Sequence, residues 1–195
     1  MTAAQRLPLI SVEDYLAAEE RSDVRHEYTG GYVHAMAGGK YRHNQVSSNV
    51  LIALGSRLRG KPCQALNPDA KVRIRATSGT YFYYADAMVV CEPNPGNAVF
   101  QDRPVIVVEV LSESTRRQDS LEKRDAYLTI PSLRAYLLVE PDEAMVSVYR
   151  RKAAGAGLEA FDAQLYAGRD AVIPLDEIEA ELPLAEVYER VKFEA

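Results

Sequence analysis

Apolar residues in this chain follow two spacings, and each spacing predicts a different kind of element. Between residues 42 and 59 they recur every three or four positions, which predicts one long amphipathic helix. Shorter segments alternate with polar residues or are apolar throughout, which is typical of strands. The predicted strands span residues 63–66, 70–75, 81–91, 105–111 and 133–139, with a closing antiparallel pair at 145–150 and 158–166.

Capping and turn signals complete the predicted outline. Ser11 begins a capping-box pattern, which predicts a short helix through about residue 20. The Gly30-Gly31 pair predicts a hairpin turn, and a last short helix is expected at 185–191. The 195 residues suffice for one full domain but not for two ordinary ones, and no linker or repeat interrupts them. We therefore predict a single α/β domain over residues 1–195, with a mixed β-sheet flanked by helices.

Two of the predicted strands each carry a single carboxylate among apolar residues. Asp86 lies in the middle of segment 81–91, and Glu109 lies near the end of segment 105–111. Burial of a lone carboxylate is costly unless a cation, a metal or a raised pKa compensates for it. If the two strands pair, the acids can lie side by side, and a hard divalent ion such as Mg²⁺ would relieve their repulsion.

A polar turn and a charged helix follow the strand that contains Glu109. This helix carries Asp119 and Lys123 four residues apart on one face. A metal held by the acids would polarise a phosphoryl oxygen, and the Lys123 ammonium would orient water or stabilise the growing charge. The pattern therefore suits phosphodiester hydrolysis. The alternative is a structural ion pair between Glu109 and Lys123.

Charge and composition narrow the possible functions. A net charge of −5 argues against a dedicated nucleic-acid coat, but not against an enzyme that meets DNA through one local basic face. Such a face could comprise Arg116, Arg117, Lys123 and Arg124. Apolar runs remain well short of the roughly 20 residues that span a bilayer, so we expect no membrane association.

The two cysteines bear on the cellular compartment. Cys63 and Cys91 lack the spacing of a metal site, which indicates reduced thiols. The N-terminal residues also lack the apolar core of a signal peptide. We therefore expect a cytoplasmic protein.

Several motifs in the order found here resemble a known family. They are Glu27-Tyr-Thr-Gly-Gly31, Met36-Ala-Gly-Gly39 followed by His43, Ala85-Asp86, Pro104 through Ser112, Ser114-Thr115, Asp119 with Lys123, and Tyr127. Together they resemble the Uma-two family of putative restriction endonucleases, a branch of the PD-(D/E)XK nuclease-like superfamily. The resemblance runs through most of the chain. It implies a restriction-endonuclease-like core and a nuclease site that uses Mg²⁺, with Mn²⁺ as a substitute, and acts on nucleic acid, above all DNA.

The resemblance also implies roles for particular residues. Asp86 matches the first motif acid, Glu109 matches the second, and Glu27 matches an acid from the N-terminal region. The superfamily's lysine normally follows the second acid by two residues, and Leu111 occupies that position here. Lys123 is the natural substitute, because its long flexible stem can reach the site from the next helix.

Other interpretations remain open at this level. The same fold could serve a non-catalytic nucleic-acid-binding or regulatory module, which the acidic charge and the leucine at position 111 favour. A structural domain with a buried ion pair would tolerate Glu109→Gln. His43 could contact a phosphate or carry a proton, or it could simply begin the main helix. A homodimer is a hypothesis, since nucleases of this class that cut both strands often work as dimers.

Overall fold

The structure, a computed structural model, describes residues 9–36, 38–112, 118–152, 155 and 157–193, without the side chains of 118–120. The helices are α1 (Val12–Glu19), α2 (Tyr41–Arg57), α3 (Arg124–Tyr127) and α4 (Leu184–Val187). A π-helical segment, Gln118–Lys123, leads into α3, and 3₁₀ turns lie at Leu158–Ala160 and Asp176–Ile178. Within these described ranges, no helix has the length and apolar composition needed to cross a membrane.

Strands in the described residues form two larger sheets and one hairpin. In chain order they are β1 (His26–Thr29), β2 (Tyr32–Ala35), β3 (Gln64–Leu66), β4 (Lys71–Ala76), β5 (Gly79–Tyr84), β6 (Ala87–Val90), β7 (Phe100–Gln101), β8 (Pro104–Val110), β9 (Ala135–Val139), β10 (Met145–Arg151), β11 (Phe161–Ala167), β12 (Val172–Leu175) and β13 (Ala180–Pro183). The five-stranded sheet has the order β2-β1-β5-β4-β7, and the six-stranded sheet has the order β11-β10-β9-β8-β6-β3. The hairpin pairs β12 with β13.

Both larger sheets are mixed. In the six-stranded sheet β8 and β9 run parallel while the other pairs are antiparallel. In the five-stranded sheet only the β4–β7 pair is parallel. The predicted fold class, α/β with mixed sheet flanked by helices, is therefore confirmed.

Apolar side chains cover both faces of the six-stranded sheet, which explains why its central strands are apolar throughout. One face packs against the apolar stripe of α2, including Val46, Val50 and Leu54. The opposite face packs against the five-stranded sheet, where residues such as Val72 and Tyr83 meet the inner strands. A buried layer therefore lies between the two larger sheets.

One predicted strand was wrong in its continuity. Segment 81–91 was expected to be a single strand, but β5 ends at Tyr84 and β6 begins at Ala87. The two halves belong to different sheets, and the chain changes sheet at Ala85 and Asp86. Both halves are apolar and strand-forming, so the hydrophobic pattern contains no sign of the break.

The C-terminal part also differs from the prediction. The hairpin of β12 and β13 was not predicted, and the last helix is α4 rather than segment 185–191. Pro174 and Pro183 lie within the two hairpin strands, and a proline usually argues against a strand because it cannot donate a ladder hydrogen bond.

The expectation of reduced cysteines was wrong, because Cys63 and Cys91 form a disulfide with a Cα–Cα distance of 3.9 Å. The β3–β6 ladder pairs Gln64 with Val90, so the next position places the two cysteines opposite each other. Their separation of 28 residues along the chain gave no hint of this pairing. The cytoplasmic location stays a prediction, and reduced thiols no longer support it.

Loss of this disulfide is expected to destabilise the protein by about 3–4 kcal/mol, because the cross-link restricts a loop of this length in the unfolded chain. The measurement is urea unfolding of the wild type with and without reductant, beside the Cys63→Ala/Cys91→Ala double variant. The double variant should unfold like the reduced wild type and should not respond to reductant. Equal midpoints for oxidised and reduced wild type would contradict the prediction.

Candidate active site

Glu109 lies within β8, and Asp86 lies at the junction just before β6, the strand that pairs with β8. The antiparallel β6–β8 ladder pairs Met88 with Val107 and Ala87 with Val108. Asp86 immediately precedes Ala87 and Glu109 immediately follows Val108, so the two residues adjoin the last pair of this ladder. Side chains alternate along a strand, so Glu109 follows Val107 onto the face that meets the five-stranded sheet. The condition for bringing the two acids together, pairing of their strands, is therefore met.

Glu109 is buried, with 3% of its surface exposed. The Tyr127 hydroxyl donates a hydrogen bond of 3.0 Å to its Oε1. Burial and the charge of Glu109 raise the pKa of Tyr127 well above its usual value, so this hydroxyl stays protonated. The same Oε1 lies 4.0 Å from Nζ of Lys123. A hydroxyl and an ammonium thus compensate for the burial of this carboxylate.

Lys123 brings a third acid into the site. Its Nζ lies 2.7 Å from Oε1 of Glu27, which comes from β1 of the other sheet. Glu27 and Lys123 are 6% and 4% exposed, and Nζ lies 5.5 Å from the centre of the Tyr83 ring. Apart from this ion pair, Glu27 Oε1 accepts no hydrogen bond from the described residues. The Lys123 ammonium therefore lies between two buried carboxylates, Glu27 from the five-stranded sheet and Glu109 from the six-stranded sheet.

Asp86 has its own set of partners. Its Oδ2 accepts a hydrogen bond of 2.7 Å from the backbone N–H of Val110 and lies 3.3 Å from Nε2 of His43. Ser47, one turn further along α2, lies 3.4 Å from the backbone carbonyl of Asp86. Burial alone would lower the pKa of His43, but the hydrogen bond and charge of Asp86 outweigh it, so this pKa is raised. The first turns of α2 thus hold Asp86 in place.

The carboxylates of this site are oxygen donors, the kind of ligand that a hard divalent metal ion binds. In the part of the chain that the structure describes, no three His, Cys, Asp or Glu side chains form a ready-made metal cage. A hard ion such as Mg²⁺ keeps several waters, however, and needs only one or two carboxylates from the protein. Asp86 and Glu109 supply two carboxylates, since the backbone N–H of Val110, the residue after Glu109, bonds to Asp86. Glu27 joins the site through its ion pair with Lys123. These residues fit such an ion.

The sequence singled out the four charged residues of the site, which are Glu27, Asp86, Glu109 and Lys123. It gave no role to Tyr127 and left the role of His43 open. Tyr127 is four residues after Lys123, and this helical spacing could have placed both side chains on one face. The contact of His43 with Asp86 had no comparable signal, because α2 and the β5–β6 junction are distant in sequence.

Of the four residues of the predicted basic face, the structure describes Lys123 and Arg124. The prediction was wrong for Lys123, because its side chain is buried among the carboxylates of the site and does not contribute to a surface. Arg116 and Arg117, like Ser114 and Thr115 of the polar turn, lie outside the described residues. Arg124 pairs with its neighbour Asp125 at 2.7 Å and lies over the Tyr149 ring. The side chain of Asp119 is not described, and the segment around it is π-helical rather than α-helical.

Comparisons with known proteins agree with this fold. A crystal structure of "a putative nuclease belonging to DUF820" from Anabaena variabilis superposes with a TM-score of 0.72 over 94% of this chain and 99% of that chain. Because the sequences are only 16% identical, this likeness shows that the two chains share the restriction-endonuclease-like fold and no more.

Two relatives from Synechocystis sp. are closer in sequence. The "uncharacterized protein slr1290" is 34% identical over 145 residues, or 74% of this chain and 75% of the relative. The "uncharacterized protein sll1609" is 29% identical over 135 residues, or 68% of this chain and 75% of the relative. The model of the Uma2 family, described as "Putative restriction endonuclease", matches residues 12–184, which include Glu27, Asp86, Glu109 and Lys123. By this match over most of its length, the chain belongs to the Uma2 family.

Proposed function

We propose that this chain is a divalent-metal-dependent endonuclease that hydrolyses phosphodiester bonds of nucleic acid, above all of DNA. One observation carries the proposal. Asp86 and Glu109 adjoin the last pair of the β6–β8 ladder, and the Lys123 ammonium lies 4.0 Å from Glu109. The family's description as restriction endonucleases supports the same chemistry.

Asp86 and Glu109 would hold Mg²⁺ or Mn²⁺ in this mechanism, with Glu27 tuning the site. The bound ion would polarise a phosphoryl oxygen and lower the pKa of a water molecule. Lys123 is the substitute for the lysine that position 111 lacks: its ammonium would orient the attacking water or stabilise the charge that grows on the phosphate. The buried layer around these side chains strengthens such electrostatic contacts.

A second candidate, a non-catalytic module on the same fold, has its own supporting observation. Lys123 lies closer to Glu27, at 2.7 Å, than to Glu109, at 4.0 Å. A buried ion pair that joins two sheets would serve a binding or regulatory domain as well as an enzyme. This candidate predicts neither metal binding nor cleavage.

A metal-dependent cleavage assay separates the two candidates. Purified protein is incubated with single-stranded DNA, duplex DNA and RNA, in Mg²⁺, in Mn²⁺ and in chelator. We expect cleavage with either metal, strongest on DNA, and none in chelator. Cleavage that persists in chelator would contradict metal dependence. No cleavage of any substrate, together with no calorimetric metal binding, would favour the non-catalytic module.

We also propose a homodimer, since one site cuts one strand and duplex cleavage needs two. Size-exclusion chromatography with light scattering measures the mass of the protein in solution. A mass near twice the 21.7 kDa of the chain would support the dimer. A monomer at every concentration tested would remove it.

A further inference from the structure

Tyr127 has a hydroxyl group that packing alone does not require. The residue is completely buried, and its ring lies between those of Tyr83 and Tyr136, with centroid distances of 5.7 and 5.5 Å. A phenylalanine would fill the same space without the cost of burying a hydroxyl. That hydroxyl donates to Oε1 of Glu109 at 3.0 Å. Because the neighbouring rings hold the tyrosine, the bond restricts the orientation of the carboxylate.

His43 holds the other acid in a similar way. Its Nε2 lies 3.3 Å from Oδ2 of Asp86, and the backbone N–H of Val110 donates to the same oxygen. A Cβ at position 39 would lie 2.7 Å from Nδ1 of this ring, so glycine at that position leaves the ring its room. Both contacts to Asp86 fall on one oxygen, Oδ2, and together they restrict the rotation of this carboxylate.

We propose that Tyr127 and His43 are positioning residues that hold Glu109 and Asp86 in the orientation that binds the metal. The inference rests on the proposed function, because it assigns these partners to the same site. Groups that hydrogen-bond metal-binding side chains typically change metal affinity by 10–100-fold when they are removed. Each acid thus has its own partner, Tyr127 from α3 for Glu109 and His43 from α2 for Asp86.

The chain contains a matched control outside this site. Glu19 of α1 is another buried carboxylate held by one tyrosine and one histidine. The Tyr84 hydroxyl donates to its Oε1 at 2.6 Å, and Nδ1 of His26 lies 3.0 Å from its Oε2. Removing these partners disturbs, in the same chemical way, a buried carboxylate that is not one of the proposed metal ligands.

The experiment is calorimetric titration of Mn²⁺ into the full chain, with thermal unfolding of each variant measured in parallel. Tyr127→Phe and His43→Ala should each weaken Mn²⁺ binding about 10–100-fold. His43→Gln should recover most of the affinity, because its amide nitrogen can donate from nearly the same place as Nε2. Tyr84→Phe and His26→Ala should lower the unfolding temperature to a similar degree but leave Mn²⁺ affinity unchanged.

The outcomes separate this inference from the proposed function. If Glu109→Gln loses Mn²⁺ binding but Tyr127→Phe and His43→Ala bind like the two controls, only the positioning roles are wrong. If all four variants weaken binding in proportion to their loss of stability, the effect is structural and the inference fails. If the wild type does not bind Mn²⁺, or Glu109→Gln binds like the wild type, the proposed metal site fails and the positioning roles fail with it.

Discussion

Glu109→Gln is expected to abolish metal-dependent cleavage of nucleic acid and to leave the protein folded. Glutamine has nearly the shape of glutamate, and its amide oxygen can still accept the hydrogen bond from Tyr127. It lacks the negative charge with which a carboxylate ligand attracts a hard divalent ion. Since removal of an outer partner of a metal site already costs about 10–100-fold, we expect loss of the carboxylate itself to reduce cleavage by more than about 100-fold. Initial cleavage rates in saturating Mg²⁺ measure the effect.

Glu19→Gln is the matched control for this prediction. Glu19 is a buried carboxylate with tyrosine and histidine partners. It lies on α1 and is not one of the proposed metal ligands, Asp86 and Glu109. Its variant should cleave at the wild-type rate, and circular dichroism should show both variants folded. If Glu109→Gln cleaved as fast as Glu19→Gln, Glu109 would be a structural acid, and the interpretation of a buried ion pair would replace that of a nuclease site.

Lys123→Met should destabilise the protein by about 3–5 kcal/mol, the usual cost of breaking a buried ion pair from one side. Methionine keeps much of the length and apolar volume of the lysine stem but removes the cation. Glu27, which lies 2.7 Å from Nζ, would then be buried without that compensation, and Glu109 would lose a cation at 4.0 Å. Urea unfolding measures the loss, and the same variant should no longer cleave nucleic acid.

The Glu27→Gln/Lys123→Met double variant distinguishes the two roles of Lys123. Compared with Lys123→Met, the double variant no longer has the unpaired buried charge of Glu27. A large part of the lost stability should therefore return. Cleavage should not return, because the proposed role of the ammonium at the phosphate is still missing. Full recovery of cleavage in the double variant would show that Lys123 serves the fold alone. If Lys123→Met alone were as stable as the wild type, the Glu27–Lys123 ion pair would not be buried in solution.

The charged residues of the candidate site could be identified from the sequence. A lone charge in an apolar strand is rare enough to be noticed, so Asp86 and Glu109 could be singled out from hydrophobic pattern alone. Lys123 stands out as the lysine on the charged helix that follows Glu109, and the resemblance to the Uma2 family makes it the substitute for the lysine missing at position 111. The structure brings Lys123 to Glu27 and Glu109, while the catalytic roles of all four residues stay predictions.

The partners of these residues were not predictable in the same way. The local sequence pattern does not specify which strands are neighbours in a sheet. The sequence could therefore state only that Asp86 and Glu109 would meet if their strands paired, and the structure was needed to show that β6 pairs with β8. The contact of His43 with Asp86 joins segments more than 40 positions apart, and no periodicity links them. The π-helical segment before Lys123 also differs from the regular helix that the charged sequence predicted.

The sequence by itself determined the types of most elements, the capped first helix, the hairpin at Gly30 and Gly31, and the candidate charged residues. These features depend on spacing and on local backbone chemistry, which neighbouring residues carry. The tertiary structure alone decided the break between β5 and β6 and the disulfide between Cys63 and Cys91. It also decided the ion pair of Lys123 with Glu27. Each of these depends on which sheet a strand joins, and that choice is made by packing between segments distant in the chain.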